Sequence, residues 1–138
     1  AKKYETIYID SISEVAELLL QEEMMVNKDG RAAYGEMASL MTTTIRGYRE
    51  LPFHTVFTAK IKKVVDDSTG SITFMPSVPG QMLLNNLSYL FDEVFLMEIG
   101  KAKDRTKYRY FQTVGDRRYT AKDRSGKLAE KEEPRFDK

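Results

Sequence analysis

Thr6-Ile7-Tyr8-Ile9-Asp10-Ser11 is the stretch on which the reading of the whole chain turns. Tyr4 to Ile9 is short, β-branched and aromatic, and it stops abruptly at Asp10. That is the pattern of a buried strand delivering a carboxylate to its C-terminal edge. Ser11, with Glu14 three residues on, forms a capping box, and Ile12, Val15, Leu18 and Leu19 then recur at helical spacing. A helix therefore starts directly after the strand. At such a junction an aspartate has two uses: it can cap the helix, or it can offer oxygen to a hard cation such as magnesium.

Working outward, Asn27, Asp29 and Gly30 break the helical pattern and predict a loop over Met24 to Ala33. Tyr34, Met37, Met41, Ile45 and Tyr48 then line one face of a second helix, stopped before Pro52. Thr55 to Ala59 predicts a strand with Lys60 at its end, and two strands joined through helices fit a parallel crossover. Ile61 to Val65 and Ile72 to Met75, around a turn at Asp66 to Gly70, predict a hairpin or projecting loop closed by Pro76, Pro79 and Gly80. Met82 to Phe91 predicts a buried helix, Val94 to Ile99 a third strand, and Tyr108 to Thr113 an antiparallel edge strand. The methionines fall mostly on apolar faces and are expected to fill the core.

Composition removes several chemistries. The 138 residues suit one domain, with 41% hydrophobic and 31% charged residues, as a globular protein needs. There is no cysteine and a single histidine, His54, so disulfides, thiolate zinc sites, cysteine nucleophiles and histidine metal clusters are excluded. No apolar run approaches the roughly 20 residues that span a bilayer, which points to a cytoplasmic protein without a membrane partner. Charge is uneven: residues 101 to 138 carry 13 Lys and Arg against 7 Asp and Glu, while the first hundred carry 9 against 14. A basic end on an acidic body suggests an anionic partner or the acidic face of a neighbouring subunit. Residues 129 to 138 have the composition of a charged, flexible tail.

The order of these features resembles the RecA-type core of P-loop ATPases, most nearly the phage RecA-like ATPases of recombination and single-strand annealing. The shared order is an apolar strand ending in Asp10-Ser11, a loop with Lys28-Asp29-Gly30-Arg31, a strand ending Thr58-Ala59-Lys60, and Pro79-Gly80-Gln81 opening a helix. Tyr119-Thr120-Ala121-Lys122-Asp123-Arg124 resembles the Lys-x-Arg element of RecA-like hexamers and KaiC-type ATPases. The resemblance covers residues 1 to 128. It implies an α/β fold, a partial RecA-like core whose mainly parallel sheet is flanked by helices and carries an antiparallel C-terminal edge strand.

The resemblance also implies ATP and magnesium as cofactors, with Asp10 as the Walker B carboxylate beside Ser11 and Lys60 as a sensor near the γ-phosphate. Lys122 and Arg124 become groups that reach the nucleotide of an adjacent subunit, where added cations stabilise charge on the transferring phosphoryl group. The two loops become a surface for single-stranded DNA, with phosphate contacts from Lys28, Arg31, Lys62 and Lys63 and base stacking on Phe74. The expected assembly is a homo-oligomeric ring or filament.

One part of the pattern is missing. No G-x-x-x-x-G-K-[ST] occurs, so nothing in the sequence forms the amide cradle for β- and γ-phosphates. The chain alone is expected to bind ATP weakly or not at all, and its sheet to need an upstream segment or another chain to complete it. The alternative is a non-catalytic nucleic-acid-binding or assembly module with a RecA-like surface. A third reading is an unrelated small α/β protein in which Asp10 is only a helix cap.

Overall fold

The computed structural model describes residues 4–136. The chain divides into two compact units: one runs to Lys62 and takes in Pro76–Leu90, and the other comprises Lys63–Met75 and the chain from Phe91 onward.

The first unit opens with β1 (Thr6–Ile9), α1 (Ile12–Val26), α2 (Gly30–Arg49) and β2 (His54–Phe57). β1 and β2 pair in parallel, Thr6 opposite His54 and Ile9 opposite Phe57, as two strands joined by a helical crossover must. Ser11 caps α1, its Oγ accepting the Glu14 amide at 3.3 Å. Asp29 caps α2 through the Arg31 amide at 2.9 Å, and Arg46 and Arg49 complement the dipole in its last turn.

Because α1 continues to Val26, the loop expected over Met24 to Ala33 shrinks to three residues, 27–29. Asn27 closes the helix through Glu23, its amide N–H meeting the Glu23 carbonyl and its side chain the Glu23 carboxylate.

The face expected on α2 is observed: Ala33, Met37, Ala38, Met41 and Ile45 are buried. On α1 the buried stripe is Ile12, Ser13, Ala16 and Leu20, whereas Leu18 is 52% exposed. The expected row of Ile12, Val15, Leu18 and Leu19 is therefore rotated by about one residue. Small Ala16, Ala33 and Ala38 sit in the buried stripes of the two helices, which lets their backbones approach closely. α3 (Gln81–Asn86) and a 3₁₀ turn (Leu87–Leu90) close this core with Leu83, Leu84, Leu87 and Leu90. Gly80 opens α3 at φ +81°, and a Cβ there would lie 3.1 Å from the Tyr34 ring, so the chain passes Tyr34 too tightly for a side chain.

The hairpin of β3 (Ile61–Val65) and β4 (Ile72–Pro76) is present as expected. The remaining strands are β5 (Glu93–Val94), β6 (Leu96–Lys101), β7 (Lys107–Gln112), β8 (Lys122–Asp123) and β9 (Lys131–Glu132). The sheet structure is mostly antiparallel, which corrects the expectation of a mainly parallel sheet. β5 pairs antiparallel with β8, and β7 lies antiparallel between β6 and β9. The physical reason is connection length: residues 102–106 are too few for a crossover, so β6 and β7 form a hairpin. β7 is accordingly central and not an edge. The charged run after residue 129 contributes β9, and the buried Thr113 hydroxyl donates to the Ala129 carbonyl at 2.6 Å. Phe95 and Phe136 both pack on the ring of Phe111.

Aspartates set the turns of this second unit. Asp66 accepts the amides of Ser68 and Thr69, Asp104 that of Thr106, and Asp116 those of Arg118 and Tyr119. Each short carboxylate substitutes for a backbone acceptor and holds the turn closed. Among the described residues no helix is long and apolar enough to cross a membrane.

Candidate functional site

Asp10 and Thr58 meet at the C-terminal ends of β1 and β2, where the Thr58 hydroxyl donates to Asp10 Oδ1. The backbone makes this meeting obligatory. Thr58 continues the strand pairing, its N–H donating to Ile9 O at 3.0 Å, and its own carbonyl accepts the Ile12 N–H at 2.9 Å. The second Asp10 oxygen has no hydrogen-bond partner among the described residues, and Asp10 is exposed. The peptide joining Asp10 to Ser11 is cis.

Directly behind this pair lies a junction of three segments. The Ser13 hydroxyl, fully buried, accepts the Lys60 N–H at 2.9 Å and donates to the Ser77 carbonyl at 2.6 Å. The Ser77 N–H returns to the Lys60 carbonyl at 2.7 Å. Sequence reasoning missed both Thr58 and Ser13. Thr58 had a signal, as the polar residue one step beyond a strand in register with the Asp10 strand; Ser13 had only its helical spacing to Ala16 and Leu20.

Lys60 occupies the end of the β2 segment, as expected, but its ammonium turns to α1, 3.3 Å from Glu14 and 3.4 Å from Glu17. The Glu14 hydrogen bond, with the charge of Glu17, raises its pKa. Ser11 is engaged as the cap of α1. Two first-turn amides of that helix are also in use, Ile12 N–H on Thr58 O and Glu14 N–H on Ser11 Oγ, and are not available to a phosphate.

Lys122 and Arg124 both lie in the second unit, on and just after β8. The Lys122 ammonium donates to the Phe91 carbonyl, and Arg124 pairs with Asp92. The Arg124 and Asp92 side chains are more than half exposed, where an ion pair contributes about 0–1 kcal/mol and yields readily to a competing anion.

Between these cations, Asp123 lies opposite Glu93 across β5 and β8. Asp123 accepts from the Ser125 hydroxyl and from the amides of Leu128, Gly126 and Ser125, which hold its pKa down at about 2. Burial, then the adjacent Asp123 charge, pushes the Glu93 carboxyl up. The Asp123 value lies below the ordinary 3.8, so its contribution to stability is complete above 3.8 and is lost as pH falls towards 2. In an acid titration followed by NMR, the Ser125, Gly126 and Leu128 amides are expected to move together with a midpoint near 2. A midpoint at the ordinary value would show that the loop is not held by Asp123.

The expected nucleic-acid residues are divided between the units, Lys28, Arg31 and Lys62 in the first and Lys63 and Phe74 in the second. Lys28 and Arg31 flank the cap of α2 in the first unit and are exposed. Lys62 and Lys63 are consecutive in β3, so their side chains leave on opposite faces. Phe74 is stacked on Tyr119 at 5.3 Å, with the Arg118 guanidinium 5.8 Å from each ring. That ring face is filled from within the chain.

A hollow of about 480 Å³ lined by Glu5 and Leu51 to His54 lies at the opposite, N-terminal end of β1 and β2, away from Asp10. Among the described residues no group of three or more His, Asp or Glu is placed to hold a metal ion.

A family model described as an AAA domain matches residues 1–125. The chain belongs to this AAA domain family. No curated protein and no solved structure matches it. Membership in the AAA family carries a nucleotide-binding, ATPase-like function, and AAA domains in general bind ATP with magnesium.

Proposed function

We propose that this AAA-family chain supplies the magnesium side of an ATPase site in a RecA-like, nucleic-acid-associated enzyme of phage recombination. The observation that carries the reading is the Asp10–Thr58 pair, locked by strand pairing at the C-terminal edge of β1 and β2. The donor set fits magnesium, a small hard cation that keeps several waters and takes one or two carboxylates with substrate phosphates. Asp10 would hold it through its free oxygen. Thr58 acts as a positioning residue, fixing the rotation of the carboxylate by donating to the other oxygen. Bound there, the ion neutralises charge on phosphate oxygens during phosphoryl transfer.

The phosphate chain of ATP does not fit the residues present. The sequence has no P-loop, and the Ile12 and Glu14 amides at the start of α1 are satisfied within the chain. The cradle therefore comes from other polypeptide, through an upstream segment or a second chain. The open edges of the β1–β2 pair are where further strands can add. Among the described residues β1 and β2 pair only with each other, so each keeps one edge unpaired. The engagement of Lys122 and Arg124 within their own unit favours the second reading, an assembly or nucleic-acid-binding module without catalysis.

Calorimetric titration with Mg·ATP tests the first reading, run on this chain and on the same chain joined to an upstream P-loop segment. Binding is expected only in the extended protein, and Asp10→Asn is expected to reduce its magnesium-dependent hydrolysis by at least about 100-fold, the scale of a lost group that organises transition-state charge. Hydrolysis unchanged by Asp10→Asn, or absent from the extended protein, transfers the assignment to the module without catalysis.

A further inference from the structure

A concentration of cations without ion pairs lies on neither of the loops singled out from the sequence. From Lys101 to Tyr110 the chain reads KAKDRTKYRY, placing Lys101, Lys103, Arg105, Lys107 and Arg109 at alternate positions with Asp104 as the one acid. Every residue from 101 to 109 is exposed. Asp104 is committed to its own turn, accepting from Thr106. Among the described residues none of the five cations forms an ion pair, in contrast to Lys60 and Arg124.

The strand register sorts these residues onto faces. Residues directly opposite in an antiparallel pair share a face. Lys101 lies opposite Lys107, and Arg109 opposite Ile99, which puts three cations on one side of the hairpin. Alternate residues of a strand repeat about every 6.7 Å, comparable to the phosphate step of an extended single strand. Lys103 and Arg105 occupy the turn, where Arg105 has φ +67°. On the other face Tyr108 lies over Gly100, so close that a Cβ on Gly100 would be 2.5 Å from its ring, and the ring packs 5.9 Å from that of Tyr110. Lys131 covers Tyr110 from 4.9 Å, while Tyr108 remains 47% exposed.

We propose that the β6–β7 hairpin binds single-stranded nucleic acid, with phosphates on Lys101, Lys107 and Arg109, further contacts from Lys103 and Arg105 at the tip, and a base stacked on Tyr108. The combination decides the partner. A cationic ladder attracts any polyanion, but an exposed aromatic ring held rigid against a glycine adds value only for a ligand with π-faces, and an unpaired base offers one. The proposal rests on the nucleic-acid-associated reading for its biological setting. The surface itself is independent of Asp10.

Fluorescence anisotropy of the intact chain with a labelled oligothymidylate tests it across a range of salt. Five phosphate contacts on a single strand give a slope of log K against log salt of about −3.5, so affinity is expected to fall about 100-fold between 50 and 200 mM. In K101Q/K107Q/R109Q the slope should drop to about −1.4, whereas K62Q/K63Q should leave it unchanged. Tyr108→Leu, which keeps an apolar cover on Gly100, is expected to weaken binding about 5-fold or more with the slope intact. Asp10→Asn should bind as the parent does, so failure of the magnesium assignment and failure of this one are told apart.

A slope near zero in the unaltered chain overturns the proposal without recourse to any variant. It is equally overturned by equal affinity for polyglutamate or anionic vesicles, by tighter binding of duplex, or by binding indifferent to both hairpin variants.

Discussion

Met37→Ala is expected to lower the unfolding free energy by about 2–5 kcal/mol, measured by urea denaturation with an unchanged m-value. Met37 is completely buried at the centre of the α2 stripe, between Ala33 and Met41. Its terminal methyl lies 3.6 Å from where a Cβ at Gly80 would sit, so it fills the space beneath the entry to α3. Removing the side chain forfeits its transfer free energy and leaves a cavity, since Gly80 has no atoms with which to fill it. A loss below about 1 kcal/mol would mean that Tyr34 collapses into the space. Met25→Ala, at a position 86% exposed, is the matched control and should change stability by less than about 0.5 kcal/mol.

Ser13→Ala is the second large effect. The substitution is nearly isosteric and creates almost no cavity, yet it removes a hydroxyl that serves two backbone groups. The Lys60 N–H and the Ser77 carbonyl lose that partner in a region water does not reach easily, at about 1–3 kcal/mol for each group left unsatisfied. Thermal unfolding should show a drop at least as large as that for Leu18→Ala, although far less apolar surface is deleted. If Ser13→Ala melts with the parent, the junction is not what joins α1 to the segments after β2 and β4. Because Asp10 and Thr58 precede those same segments, the variant should also loosen the site, seen as faster amide exchange at Lys60 and Ser77.

Much of the first unit is legible in the chain. The run Thr6 to Ile9 ending in Asp10, the Ser11–Glu14 capping box and the α2 row of Met37, Met41 and Ile45 are local patterns, and the structure follows each. The turn aspartates of the second unit belong to the same class, because a side chain that caps an amide two residues on needs no distant partner.

The errors cluster where distant contacts decide. Leu18, Leu19 and Leu20 form an unbroken apolar run, so helical spacing alone leaves the facing direction open by about one residue. The choice of Leu20 with Ser13 depends on Lys60 and Ser77, 47 and 64 residues from Ser13. The resemblance makes Lys60 a sensor at a strand end, and only the packing of α1 beside it brings Glu14 and Glu17 to its ammonium.

The sequence by itself therefore determined the order of elements in the first unit, the carboxylate at the end of β1, the absence of a phosphate loop and the alternating cations of residues 101 to 109. Those are matters of composition, spacing and side-chain chemistry within a few bonds. The tertiary structure decided which groups meet: Thr58 and not Lys60 on Asp10, Tyr119 on Phe74, and antiparallel pairing among most of the strands. Pairing and burial are settled by the competition of all segments for hydrogen-bond partners and dry surface, and no local stretch contains the outcome of that competition.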